Sequence, residues 1–80
     1  MTKESKELLI WTTTKRIVDI RRFIANEKKG RQNVIDHPEY YQSPSEQIIW
    51  HNKRINEYEN KIIKYQTAIN ELAELYTNQI

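Results

Sequence analysis

From Ile48 to Tyr76 an apolar residue returns every seven positions, as Ile48, Ile55, Ile62, Ile69 and Tyr76. Three residues after the first four of these stand His51, Tyr58, Tyr65 and Leu72, so a heptad seam runs for four repeats. A seam of this kind commits the chain to a long helix that buries one narrow stripe against another helix. Its start is marked by Ser43-Pro44-Ser45-Glu46, in which Ser43 can cap, Pro44 suits the first turn, and Glu46 lies where a capping box needs it. The pattern predicts a helix over about 44–78, roughly 50 Å long at 1.5 Å per residue. Ala68, Ala73 and Leu75 widen the stripe beside Ile69 and Leu72, so packing is expected to be tightest toward that end.

A second helix is available to cover the seam. Ile10, Thr13, Ile17, Ile20 and Ile24 recur at alternating spacings of three and four, with Leu9 and Phe23 widening the stripe. Lys28 and Lys29 complement the negative end of a helix, and Gly30 suits the left-handed position just past it, which predicts a helix over about 3–29. The connector over about 30–43 carries Val34, Ile35, Tyr40 and Tyr41, too apolar for a slack linker. Asp36-His37-Pro38-Glu39 reads as a second capped start, so a short helical turn is expected near 37–41, holding Tyr40 and Tyr41 over the mouth of the hairpin.

These elements predict one all-α domain over residues 1–80, a two-helix antiparallel hairpin with a long ordered loop. Such a hairpin has a thin core, because only 38% of the 80 residues are hydrophobic. Trp11, Val18, Ile49, Trp50 and Ile63 lie off both seams, where two helices alone would leave them in water. Dimerisation into a four-helix bundle or similar coiled-coil assembly is therefore expected. A monomeric hairpin with a separate partner protein is the rival, and a purely structural coiled-coil scaffold is a further alternative.

Composition removes several classes of function. The chain has no Cys, which excludes disulfides, thiolate chemistry and Cys-type zinc sites. Its charged start and the lack of any run of 18 apolar residues argue against a signal peptide or membrane span and for a cytoplasmic protein. One Gly cannot build a phosphate-binding loop. His37 and His51 have no ligand cluster around them, and Glu57 and Glu59 point about 200° apart on a helix. Glu71 and Glu74 share a face without a third group, and Glu57 with Lys61 is an ordinary surface pair. No catalytic residue, metal or cofactor is expected. His51 is read as a polar seam residue that can set register.

Two surfaces carry the remaining functional content. Residues 1–31 have a net charge of +5 and residues 32–80 of −3. The halves are expected to fold against each other and largely cancel, with a basic binding face as the alternative. On that alternative, Lys15, Arg21, Arg22, Lys28 and Lys29 line the side of the first helix away from its seam, with Arg16 near the edge and Arg31 just past the helix. They could track nucleic-acid phosphates, although no aromatic alternates with them as a stacking platform. The favoured partner-binding residues are Trp11, Tyr40, Tyr41, Ile49 and Trp50, since aromatic side chains dominate binding hot spots.

Tyr41-Gln42-Ser43-Pro44-Ser45-Glu46, followed by Ile55, Tyr58, Ile62, Tyr65, Ile69 and Leu72, resembles the helical segment of phage late-gene transcription regulators of the ArpU and RinA type from low-G+C Gram-positive hosts. In those regulators a polar loop leads into a charged heptad helix, and a helix-turn-helix module follows that these 80 residues do not contain. The abundance of Ile, Lys, Asn and Tyr, all with A/T-rich codons, agrees with such a genome. The resemblance implies a phage or prophage protein that binds and modulates a larger host or phage protein, such as transcription or replication machinery, through helix packing. Arg54-Ile55-Asn56-Glu57-Tyr58 is also similar to a motif of the helical-hairpin phosphatases of sporulation phosphorelays. Ile48 and Asn52 stand where that family has Ser and Asp, so its activity is not expected here.

Overall fold

The computed structural model describes residues 2–78, with side chains up to Leu75. Helix α1 spans Lys3–Asp36, a 3-10 turn spans Pro38–Tyr40, and helix α2 spans Pro44–Asn78. The two long helices pack on each other as a helical hairpin. The result is a rod of 61 × 15 × 14 Å with a radius of gyration of 18.0 Å, against about 12 Å for a compact domain of this length. Among the described residues, no helix is long and apolar enough to cross a membrane.

Thr2 starts α1 by accepting a hydrogen bond from the Ser5 amide at 3.1 Å, and α2 begins at Pro44 as its sequence pattern predicts. The end of α1 does not lie where Gly30 suggested. The helix continues two further turns to Asp36, and Gly30 has no positive φ. Its role is steric: a Cβ there would come within 2.9 Å of the His51 ring, so the glycine admits a side chain from α2 at the helix crossing. The stripe of α1 accordingly runs on from Ile24 through Glu27 and Arg31 to Val34, at the same three-and-four spacing. Val34, assigned from sequence to the loop, is the most buried side chain described, at 1% exposure.

α1 stops where Pro38 forbids it to continue, with the His37 amide donating to the Asn33 carbonyl at 2.9 Å. The connector is thus half as long as the 30–43 segment expected. The short turn falls at Pro38–Tyr40, inside the range predicted for it. It does not hold both tyrosines over the hairpin mouth: Tyr41 is half-buried, whereas Tyr40 is exposed and stacked on His37 at 5.2 Å.

The core comprises Ile17, Ile20, Ile24 and Val34 of α1 with Ile55 of α2, and Tyr58, Ile62 and Tyr65 pack against it. Packing is therefore tightest in the middle of the rod and toward the loop, not at the far end of α2. There Ile69 and Leu72 are half-buried, and Ala68, Ala73 and Leu75 are exposed. The facing stretch of α1 explains the difference, since its seam presents half-buried Ile10 and Thr13 and, as its buried side chain, the cation Lys6 at 8% exposure, and the Thr13 hydroxyl turns back to donate to the Leu9 carbonyl at 2.7 Å.

Candidate interaction surface

Near the loop the seam is polar, and its polar groups are matched. Glu27 reaches across from α1 and uses both carboxylate oxygens. One accepts from His51 Nδ1 at 2.7 Å, the other from Arg54 Nε at 2.9 Å. Because a carboxylate only accepts, His51 carries its proton on Nδ1 in this arrangement. One turn toward the loop, Arg31 donates to the Asn52 side chain at 2.7 Å. Arg31 is thus a seam residue inside α1, rather than a cation just past its end.

Arg54 links this polar seam to an aromatic surface. Residues four before and four after it on α2 are Trp50 and Tyr58, and helical spacing puts all three side chains in one row. The guanidinium lies 4.8 Å from the Trp50 ring centre and 5.6 Å from that of Tyr58, and it also donates to the Tyr58 hydroxyl at 2.8 Å. Phe23 of α1 adds a tilted ring contact to Tyr58 at 5.7 Å, and His51 meets Trp50 edge-on at 5.1 Å. Trp50 and Phe23 remain half exposed in spite of these contacts. Beside them a groove of Arg16, Asp19, Phe23, Tyr58, Lys61 and Tyr65 opens between the helices.

The charges of this cluster reinforce one another. The Glu27 carboxyl is held below the usual carboxylate range, first by the hydrogen bond from His51 and then by the bonds and charge of Arg54, against an opposing push from partial burial. Arg54 in turn is pushed further up by its hydrogen bond to Glu27.

Of the residues predicted to bind a partner, Tyr40, Tyr41, Ile49 and Trp50 cluster at the loop end. Trp11 does not join them. It stands 19 residues before Gly30 on α1, about 28 Å along the helix, with the Lys15 ammonium 5.5 Å from its ring. Trp11, Tyr40, Ile49 and Trp50 are exposed. Glu27, Arg54, Tyr58 and Phe23 complete the site and were not singled out for it. The signal for Glu27 was its place on the α1 stripe, three residues after Ile24, where a carboxylate needs a polar partner such as His51 on the facing seam.

The basic residues Lys15, Arg16, Arg21, Arg22, Lys28 and Lys29 are all exposed. Among the described residues none of them forms an ion pair, and the pairs that join the helices are those of Glu27 with His51 and Arg54. The two halves therefore do not cancel through direct pairing of α1 cations with α2 carboxylates. The bridging ion pairs run the other way, acid on α1 and base on α2. No group of three or more His, Asp or Glu side chains is placed to hold a metal ion among the described residues. Compared with family models, curated proteins and solved structures, the chain finds no significant match.

Proposed function

We propose that this chain is a non-enzymatic helical interaction module, an antiparallel hairpin that dimerises and binds and modulates a larger host or phage protein in the cytoplasm. The observation that carries this reading is the row in which half-exposed Trp50 lies beside part-buried Arg54 and Tyr58, with Arg54 hydrogen-bonded to Glu27 from across the seam. Aromatic residues and arginine supply most binding energy at protein interfaces, and side chains fixed before binding lose little entropy on it. The half-exposed Phe23 and the adjoining groove give a partner helix a place to lie. The likeness of the 41–72 stretch to phage transcription regulators supports a mobile-element role.

The test compares the tagged wild type with Trp50→Ala as baits in a low-G+C Gram-positive lysate treated with nuclease. The reading predicts a stoichiometric protein held by the wild type and lost by Trp50→Ala, with the far-ultraviolet helical signal of both intact. Identical capture by both baits overturns the surface.

A second reading is favoured by one observation, the five exposed cations Lys15, Arg21, Arg22, Lys28 and Lys29, which form no ion pair among the described residues. They form a basic face suited to a nucleic-acid backbone. It predicts duplex-DNA binding that weakens steeply with salt and is abolished by Arg21→Glu with Arg22→Glu. Binding that ignores salt or survives those changes counts against it.

A further inference from the structure

The two flanks of the hairpin differ in what already covers them. One holds the groove beside Phe23 and Tyr58 and the stacked Trp50, whose rings have partners within the chain. On the other, Trp11, with the Lys15 ammonium 5.5 Å from its ring, and Val18 stand seven residues apart, each next in sequence to a seam isoleucine of α1, and Ile49 and Ile63 stand in the same relation to α2. All four are exposed, from 43% at Val18 to 66% at Ile49. Stepping five residues back from Phe23 and five forward from its contact Tyr58 puts Val18 and Ile63 at one level of the rod.

We propose that this flank is where a second copy of the chain docks, with α1 of each copy lying on α2 of the other about a two-fold axis parallel to the rod. The proposal rests on the self-association in the preceding reading and specifies its geometry. Charge selects the arrangement. At the centre of the flank α1 carries Arg21 and Lys28, and α2 carries Glu59 at the level of Arg21. Docking α1 on α2 sets Arg21 of each copy against the other's Glu59, whereas docking α1 on α1 sets cations against cations. Shape agrees, because Val18 then meets the other copy's Ile63, and bulky Trp11 and Ile49 meet slender Asn70 and Gln32.

Area agrees as well. A face of 61 × 15 Å can cover about 900 Å² per copy, or about 1,800 Å² in total, within the range of stable interfaces. The chain exposes 6416 Å², where a compact monomer of its mass exposes about 5,100 Å². Covering one flank removes most of that excess.

The test is a charge swap read by sedimentation equilibrium. Arg21→Glu alone and Glu59→Lys alone each place like charges across the interface, and each is expected to weaken self-association about tenfold or more. Mixed one to one, the two variants are expected to form a heterodimer as tight as the wild type, because both cross-copy contacts between positions 21 and 59 again join opposite charges. A control, Lys61→Glu, lies on the other flank and is expected to leave the dimer unchanged. If the wild type dimerises but neither swap variant weakens it, or the mixture fails to recover, the docking face is overturned while self-association stands. If the wild type is monomeric at every concentration yet fully helical, the proposal and the self-association beneath it fall together.

Discussion

The loop-proximal half of the hairpin and its far half are built from the same heptad pattern, yet they reach different degrees of order. Near the loop, Ile20, Ile24 and Val34 are buried on α1, Ile55 is buried on α2, and Glu27 ties two residues of α2 to one of α1. At the far end the apolar seam residues Ile10, Ile69 and Leu72 and Thr13 are only half-buried, the buried side chain is the cation Lys6, and Leu8, Leu9, Trp11 and Leu75 are exposed. Apolar spacing alone does not make a core. A seam closes where both helices present large side chains at one level and where the polar residues on it find partners.

The largest expected effect comes from breaking the ordered half. Ile55→Ala removes the buried side chain at its centre and is expected to cost about 3 kcal/mol, enough to unfold a marginal hairpin at moderate temperature. Leu72→Ala, on the same seam in the half-buried far end, is expected to cost about 1 kcal/mol. Urea denaturation followed by circular dichroism measures both. Equal losses would erase the contrast between the halves.

Gly30 gives a finer test. In a helix interior, replacing Gly by Ala ordinarily gains about 1 kcal/mol. Here the new Cβ meets the His51 ring at 2.9 Å, and the hydrogen bond to Glu27 restrains that ring from moving away. Gly30→Ala is therefore expected to destabilise by about 1 kcal/mol, and in a His51→Ala background the same change is expected to stabilise by about as much. A sign that does not reverse would show that the close approach is not what the glycine serves.

This residue also marks how far the sequence could be read. Both helices, the start of α2 and the buried isoleucines 17, 20, 24 and 55 followed from periodicity and capping, which act within one or two turns. Gly30 was misplaced because a glycine after two lysines suits a helix end as well as a helix crossing, and only the side chain opposite decides between them. The Glu27 cluster was hidden for a related reason. A carboxylate and an arginine on an apolar stripe look like its end until a histidine, a second arginine and an asparagine from residues some twenty positions later are placed beside them. Exposure of Trp11, Val18, Ile49, Trp50 and Ile63, by contrast, was legible from their distance off the seams.

The acid limb of stability probes the same cluster more gently. Glu27 has its carboxyl pKa lowered from the ordinary 4.5. A group with a lower pKa folded than unfolded binds more protons in the unfolded state, so stability rises with pH across that window. The contribution is present in full above about 4.5 and is lost as pH falls through the lowered value. Glu27→Gln is expected to flatten that part of the urea-midpoint profile while leaving the response of the other carboxylates. An unchanged acid limb would mean that the carboxylate gains nothing from His51 and Arg54 on folding.

The smallest expected effect concerns the far half. Amides of α1 between Thr13 and Phe23 and of α2 between Ile55 and Tyr65 lie beside buried side chains, so their exchange with deuterium should be slow at every protein concentration. Amides near Leu8, Leu9, Leu72 and Leu75 lie beside side chains that the hairpin leaves half or wholly exposed, and they should exchange faster in dilute samples. Docking of a second copy along the flank of Trp11 and Val18 would add cover at this end, so protection there should rise with concentration while the middle of the rod stays constant. Protection that rises equally along both helices would instead mean that the hairpin folds only as it associates, and the two halves would then be parts of one cooperative unit.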